Sequence, residues 1–211
     1  MKILDYFTSL QEGVQASYDA ANAARLKGLD PETKVEIPQA SSLAEKVVGL
    51  ISAIYPQVQD NRIVKRILEL EKQYGSLDPA VALTVAEEVA KEKFCKFESH
   101  HQAMEVGVRL AIAYMTLGVV SSPIEGFVEL KLKKTREGLD YFVPFYAGPI
   151  RSAGGTEAAF SIVIIDYLRE IFGYARYDPT EDEVKRGVHE AYFYHERINN
   201  LQYLPPEEEL K

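Results

Sequence analysis

The period of the hydrophobic pattern changes along this chain, and that change limits what it can fold into. Before Leu117 and again after Thr156, apolar residues recur every three or four positions, the spacing of a helix face. Between Glu125 and Tyr146 the period drops to two. There Val128, Leu130 and Leu132 alternate with Glu129, Lys131 and Lys133, as in a half-buried strand. A turn at Arg136-Glu137-Gly138 leads to a second extended run, Leu139 to Phe145, which predicts one β-hairpin over about 126–146. A lone hairpin is marginal in water, so it has to pack on neighbouring helices. The expected fold class is therefore α+β, mainly α: several packed helices, one hairpin, and a glycine-rich turn into a buried helix.

Helix ends are well marked. Ser42 with Glu45, Ser99 with Gln102 and Thr180 with Glu183 each place a hydroxyl three residues before a carboxylate or amide, the signature of a capping box. Asp78-Pro79 supplies a cap and a first-turn proline. Gly75, Gly118 and Gly173 stand where helices should stop. These signals predict helices near 43–54, 60–74, 79–93, 100–117, 156–172 and 181–197. A further helix over 3–26 carries Ile3, Phe7, Leu10, Val14, Tyr18 and Ala21 as a stripe on one face, and Gly28 and Asp30-Pro31 end it. The expected organisation is an amphipathic arm at 1–28, a linker at 29–40, a helical domain at 41–118, and a part at 119–211 holding the hairpin, the glycine-rich loop and two helices. That last part forms one body with 41–118 or stands beside it.

Composition narrows the function classes. A net charge of −8 over 211 residues rules out a surface that is basic throughout, so any nucleic-acid contact must be local. Cys95 is the only cysteine, so an intramolecular disulfide is impossible and a cysteine-based zinc site is disfavoured. The first residues, MKILDYFTSL, contain Asp5 and no long apolar core, and no stretch reaches the length of a membrane span. A cytoplasmic, non-membrane protein is expected.

The segment most suggestive of chemistry runs from Tyr141 to Asp166, where an aromatic strand enters a glycine-rich loop and then an apolar helix. It has two readings. Backbone amides near Gly154, Gly155 and Thr156, with Ser152 and the fork of Arg151, could cradle an anion. Alternatively, the glycines only let a strand and a helix pack closely, with Thr156 as cap. The loop fits neither a Walker A pattern nor G-x-G-x-x-G. On the next helix Phe160, Ile162, Val163, Ile164, Ile165 and Leu168 lie almost all round, which points to burial, with Asp166 and Arg169 pairing on a wetter edge.

Near the hairpin turn stand Lys131, Lys133, Lys134 and Arg136. Glu125–Arg151 holds five basic and four acidic residues, so it is +1 against −9 for the remainder. Lys131 and Lys133 point to one face, where they could meet phosphates or serve as a solvated edge that discourages sheet pairing. His100, His101, His189 and His195 are not spaced as a metal site, and His195 continues the Val184, Val188, Tyr192 face. No nucleophile triad or carboxylate pair is apparent.

The segments FYAGPIRSAGGT, the helix ending Asp166-Tyr167-x-Arg169, YDPTEDEV and NLQYLPPEEE resemble the N-terminal region of the archaeal DNA polymerase D large subunit. So do EIPQASSLAEKV, KQYG and LGVVSSPIEGF, so the likeness covers nearly the whole chain. The one departure is the hairpin turn, with Arg136-Glu137-Gly138 in place of an Asp-Gly pair. The resemblance implies a replicative DNA-directed DNA polymerase of two subunits, the smaller being a 3′–5′ exonuclease. It places the catalytic aspartates, with their divalent metal (Mg), and the zinc modules downstream of this region. The chain is then expected to be a non-catalytic assembly module with no cofactor of its own. Its expected partners are the small subunit, DNA within the holoenzyme, and a second copy through the first helix. The competing expectation is a stand-alone phosphate- or nucleotide-binding enzyme that uses the loop at 148–156.

Overall fold

The computed structural model describes residues 3–30, 40–117, 126–147, 155–198 and 200–211, without the side chains of 155–157. Its elements are α1 (Ile3–Leu26), α2 (Leu43–Ser52), a 3₁₀ turn (Pro56–Val58), α3 (Asn61–Tyr74), α4 (Pro79–Ala90), α5 (His100–Met115), β1 (Phe127–Lys134), β2 (Asp140–Tyr146), α6 (Gly155–Phe172), α7 (Glu181–Arg197) and α8 (Glu207–Leu210). The mainly helical architecture with one antiparallel hairpin is the expected one. Gly118, most of the 29–40 segment and the loop of Arg151, Ser152 and Gly154 lie outside the described residues.

The core is built on α5, whose residues from Val106 to Tyr114 are buried continuously. It packs against α4, α2, α6 and β1. Gly107 explains the close approach to α4, because a Cβ there would stand 2.6 Å from the Ala86 carbonyl oxygen. Val81, Val85 and Val89 of α4, Val47 and Ile51 of α2, Ile63 and Ile67 of α3, and Ile164 and Leu168 of α6 complete the cluster.

The caps form with one refinement. Ser42, Ser99 and Thr180 each accept the N–H three residues on. Only Thr180–Glu183 closes as a full box, with the Glu183 carboxylate accepting the Thr180 N–H at 2.8 Å. The Glu45 carboxylate instead accepts from the N–H and hydroxyl of Ser41, and the Gln102 amide oxygen accepts from the Glu98 N–H. In both, the returning side chain binds one residue before the cap.

Three helices end earlier than predicted, α2 at Ser52, α4 at Ala90 and α5 at Met115, and the last two share a reason. After α4 Glu92 takes φ 53°, and after α5 Leu117 takes φ 58°. Non-glycine residues in this region are uncommon, so the glycine signal missed them. Glu92 is held there by its carboxylate, which accepts the Phe97 N–H at 3.0 Å. Helix α6 is buried on one side only: Ser161, Ile164, Ile165 and Leu168 face the core, while Ile162 and Val163 are about half exposed. The predicted Asp166–Arg169 pair forms at 2.6 Å, and Arg169 also donates to the Tyr174 carbonyl at 3.2 Å.

A polar joint ties α3 to α4. Arg66 grips the buried Glu88 with two hydrogen bonds of 2.8 and 3.0 Å, and Lys93 adds a third at 3.0 Å. Burial by itself would push the Glu88 carboxyl up, but these bonds outweigh it and hold it below its ordinary value. A carboxyl whose folded pKa is depressed contributes stability that is complete above its unfolded value, about 4.3. That contribution is lost as pH falls through the folded value. Urea titrations of Glu88→Gln are therefore expected to show a clear loss of stability at neutral pH that narrows under acid. An equal loss at both pH values would disprove the linkage.

Candidate nucleic-acid interface

The hairpin carries the lysines read either as a phosphate contact or as a solvated edge, and α5 sets its position. Arg109, with a side chain only 5% exposed, donates from Nη1 to the Phe127 carbonyl and from Nη2 to the Val128 carbonyl, both at 2.6 Å. Its guanidinium also lies 4.9 Å from the Phe127 ring centroid and pairs with Glu105 at 3.0 Å. Glu105 in turn accepts the Leu130 N–H at 3.0 Å and the Tyr55 hydroxyl at 3.0 Å. One ion pair on a helix thus satisfies three backbone groups of β1. The strand can leave sheet pairing on that side without stranding its polar groups. The ladder is irregular there, with a bulge between Phe127 and Glu129.

At the other end, the Gly138 N–H donates to the Thr135 carbonyl and the Thr135 N–H to the Leu139 carbonyl. Gly138 adopts φ 84°, the conformation this turn requires. Directly paired residues share a face, so the register Lys133↔Tyr141, Lys131↔Val143 and Glu129↔Phe145 puts these six side chains together on the outer face. Leu130 and Phe142 point the opposite way, into the core.

The basic run divides accordingly. Lys131 and Lys133 share the outer face, as the alternation predicted. Lys131 pairs with Glu129 at 2.8 Å and lies 4.7 Å from the Phe145 ring centroid. Lys133 is exposed and forms no ion pair among the described residues. Lys134 belongs to the other face, where it meets its cross-strand neighbour Asp140 at 2.8 Å. Arg136 is held by Asp178 at 3.0 Å. The run is thus partly neutralised within the fold: Glu129 serves Lys131 from the same strand, Asp140 meets Lys134 across the ladder, and Asp178 reaches Arg136 from the segment after α6.

An aromatic neighbour extends this face. Ala175 N–H donates to the Asp140 carbonyl at 2.9 Å, laying the chain after α6 beside β2. Tyr177 then meets Tyr141, with ring centroids 5.3 Å apart. Nothing in the local sequence joins Tyr177 to the hairpin, since the contact depends on where α6 returns the chain.

Of the glycine-loop residues, Arg151, Ser152 and Gly154 lie outside the described residues, and Gly155 and Thr156 are described only as the opening of α6. A cleft of about 310 Å³ lies between β2, α6 and residues 175–177, with Arg169 and Arg176 on its wall. Both arginines already face carboxylates, Asp166 and Glu170, so the cleft carries little uncompensated positive charge. Among the described residues, no group of three or more His, Cys, Asp or Glu is placed to hold a metal ion. His100 packs against Phe172, His189 faces the Lys185 carbonyl, and His195 accepts the Leu201 N–H at 3.0 Å. Among those residues no helix is long and apolar enough to cross a membrane.

The family described as "DNA polymerase II large subunit DP2, N-terminal" matches residues 5–211. The DNA polymerase II large subunit of Nanoarchaeum equitans is 43% identical over 206 residues, covering 98% of this chain and 17% of that protein. Its counterpart in Pyrococcus horikoshii is 39% identical, with coverage of 98% and 14%. That of Pyrococcus furiosus is 37% identical, with coverage of 100% and 16%. The chain therefore spans less than a fifth of the length of these relatives. It belongs to the family of N-terminal regions of the archaeal DNA polymerase II large subunit.

Proposed function

We propose that this chain is the N-terminal, non-catalytic assembly module of the large subunit of a two-subunit replicative DNA polymerase, acting in the cytoplasm. In this reading the small subunit supplies the 3′–5′ exonuclease. The polymerase aspartates, with their divalent metal, and the zinc modules belong to the parts of the large subunit that follow this region. Kinship to polymerase large subunits supports the setting. Helix α1 carries the assembly role.

Helix α1 has 24 residues and buries none of them. Ile3, Phe7, Leu10 and Val14 are 77%, 61%, 47% and 44% exposed, whereas Tyr18 is half-buried. From Ile3 to Val14 the spacing alternates four, three and four, that of a coiled-coil seam, and Tyr18 falls beside it. The acids Asp5, Glu12 and Asp19 recur every seven residues on the opposite side. The positions flanking the seam, Leu4, Tyr6, Gln11, Gly13, Tyr18 and Ala20, are uncharged. Two copies of α1 can therefore meet without like charges opposing one another, and each buried side chain would contribute roughly 1.5–3 kcal/mol. A second copy of this chain is the occupant we assign to the seam.

Sedimentation of the wild type is expected to show a dimer. Deletion of residues 1–28, or Leu10→Asp, should give a monomer with an unchanged circular dichroism signal per remaining helical residue. A wild type that stays monomeric up to about 100 µM, a weak affinity by any standard, would remove self-association.

A further inference from the structure

We propose that the outer face of the hairpin is a stacking platform for single-stranded DNA, formed by Phe145, Tyr141 and Tyr177 with Lys131 and Lys133. The proposal rests on the polymerase setting above and concerns a surface separate from α1.

Single-stranded nucleic acid is held by two features in combination: aromatic faces on which bases stack, and cations along the backbone path. The hairpin presents both in one row. Phe145, 36% exposed, and Tyr177, 51% exposed, stand at the two ends, with Tyr141 beside Tyr177. Between them Lys131 and Lys133 project from the same strand two residues apart, about 7 Å along it. Lys133 stands directly across from Tyr141, so an aromatic face and an ammonium without an ion pair among the described residues share one position in the ladder.

The acids on this face are few and engaged. Glu129 is occupied by Lys131, and at the far end Asp178 is occupied by Arg136 and Glu183 by Thr180 and the Tyr177 hydroxyl. A phosphate approaching Lys133 therefore meets no unpaired carboxylate on that strand. Duplex DNA suits the surface poorly, because its bases are already stacked on each other and offer no face to a ring. The chain's overall charge of −8 opposes contact with either form, so binding depends on this local row of rings and lysines. The chemistry selects an unpaired strand without sequence preference, such as the one a polymerase meets at its template.

The test is fluorescence anisotropy at low salt with the 211-residue chain and a labelled oligothymidylate of about 15 nucleotides, beside a duplex of equal length. The wild type is expected to bind the single strand more tightly than the duplex. Phe145→Ala and Tyr177→Ala should each weaken single-strand binding by about tenfold. Lys133→Ser should weaken it and lower the salt dependence by about 0.7 in log–log slope. Lys65→Ser on α3 and Tyr203→Ala, an exposed lysine and an exposed tyrosine away from the hairpin, should leave it unchanged. Thermal melting of each variant separates lost binding from lost folding. The proposal is overturned if the wild type does not bind, if duplex binds as well as single strand, or if the control substitutions weaken binding as much as the platform ones. It is also overturned if the platform variants alter the mass in solution instead of DNA binding, which would make this face a protein contact. Because α1 is untouched in every variant, failure here leaves the assembly reading standing, and loss of the dimer leaves this one standing.

Discussion

Arg109→Ala is expected to lower the stability of the folded chain by about 3–5 kcal/mol, the usual cost of removing one partner from a buried ion pair. Three groups lose their partner at once. The Glu105 carboxylate is left with the Tyr55 hydroxyl and the Leu130 N–H as its partners among the described residues. The buried carbonyl of Phe127 and the part-buried carbonyl of Val128 lose their donors. Urea denaturation followed by circular dichroism would measure the loss, and a change under about 1 kcal/mol would show that the pair does not anchor the hairpin. Arg109→Lys should recover only part of it, because a single ammonium cannot reproduce the fork that reaches both carbonyls.

Phe127→Ala is expected to cost about 3–5 kcal/mol by a different route, since it opens a cavity in the core. Phe127 is fully buried, packs against Tyr146 at 5.9 Å between centroids, and lies under the Arg109 guanidinium. The two substitutions should not add. Once either is made, the hairpin is already loosened from α5, so the double variant should fall short of the sum by about 1 kcal/mol or more. Additivity within experimental error would mean that ring and guanidinium act independently. Hydrogen exchange across β1 would show the same loosening as faster opening of 127–134 in either variant.

Much of the fold was legible because its signals are local. A cap lies three residues from its partner and a helix stripe repeats within a turn, so Ser42, Ser99 and Thr180 announced their helices directly. The alternation of Val128 to Lys133 announced the strand in the same way. Helix ends at Glu92 and Leu117 were not legible, because a left-handed residue without glycine is stabilised by contacts that propensity does not record. The candidate interface was half legible. Alternation placed Glu129, Lys131 and Lys133 on one face, but it could not show that Asp140 would meet Lys134 across the ladder, that Asp178 would hold Arg136, or that Tyr177 would join Tyr141.

By itself, the sequence determined the periods, the caps, the hairpin and the family, each of which is written within a few neighbouring residues or in a motif. Only the tertiary structure decided which polar residues are buried and what they hold. Arg109 reaches a carbonyl 18 residues away, Arg66 a carboxylate 22 away, and Tyr167 donates to Glu87 across 80 residues. In a linear reading each of these looks like an ordinary surface residue. Their partners are chosen by how helices pack, since a charge can stay buried only where another element brings its counter-charge or its backbone groups within bonding distance.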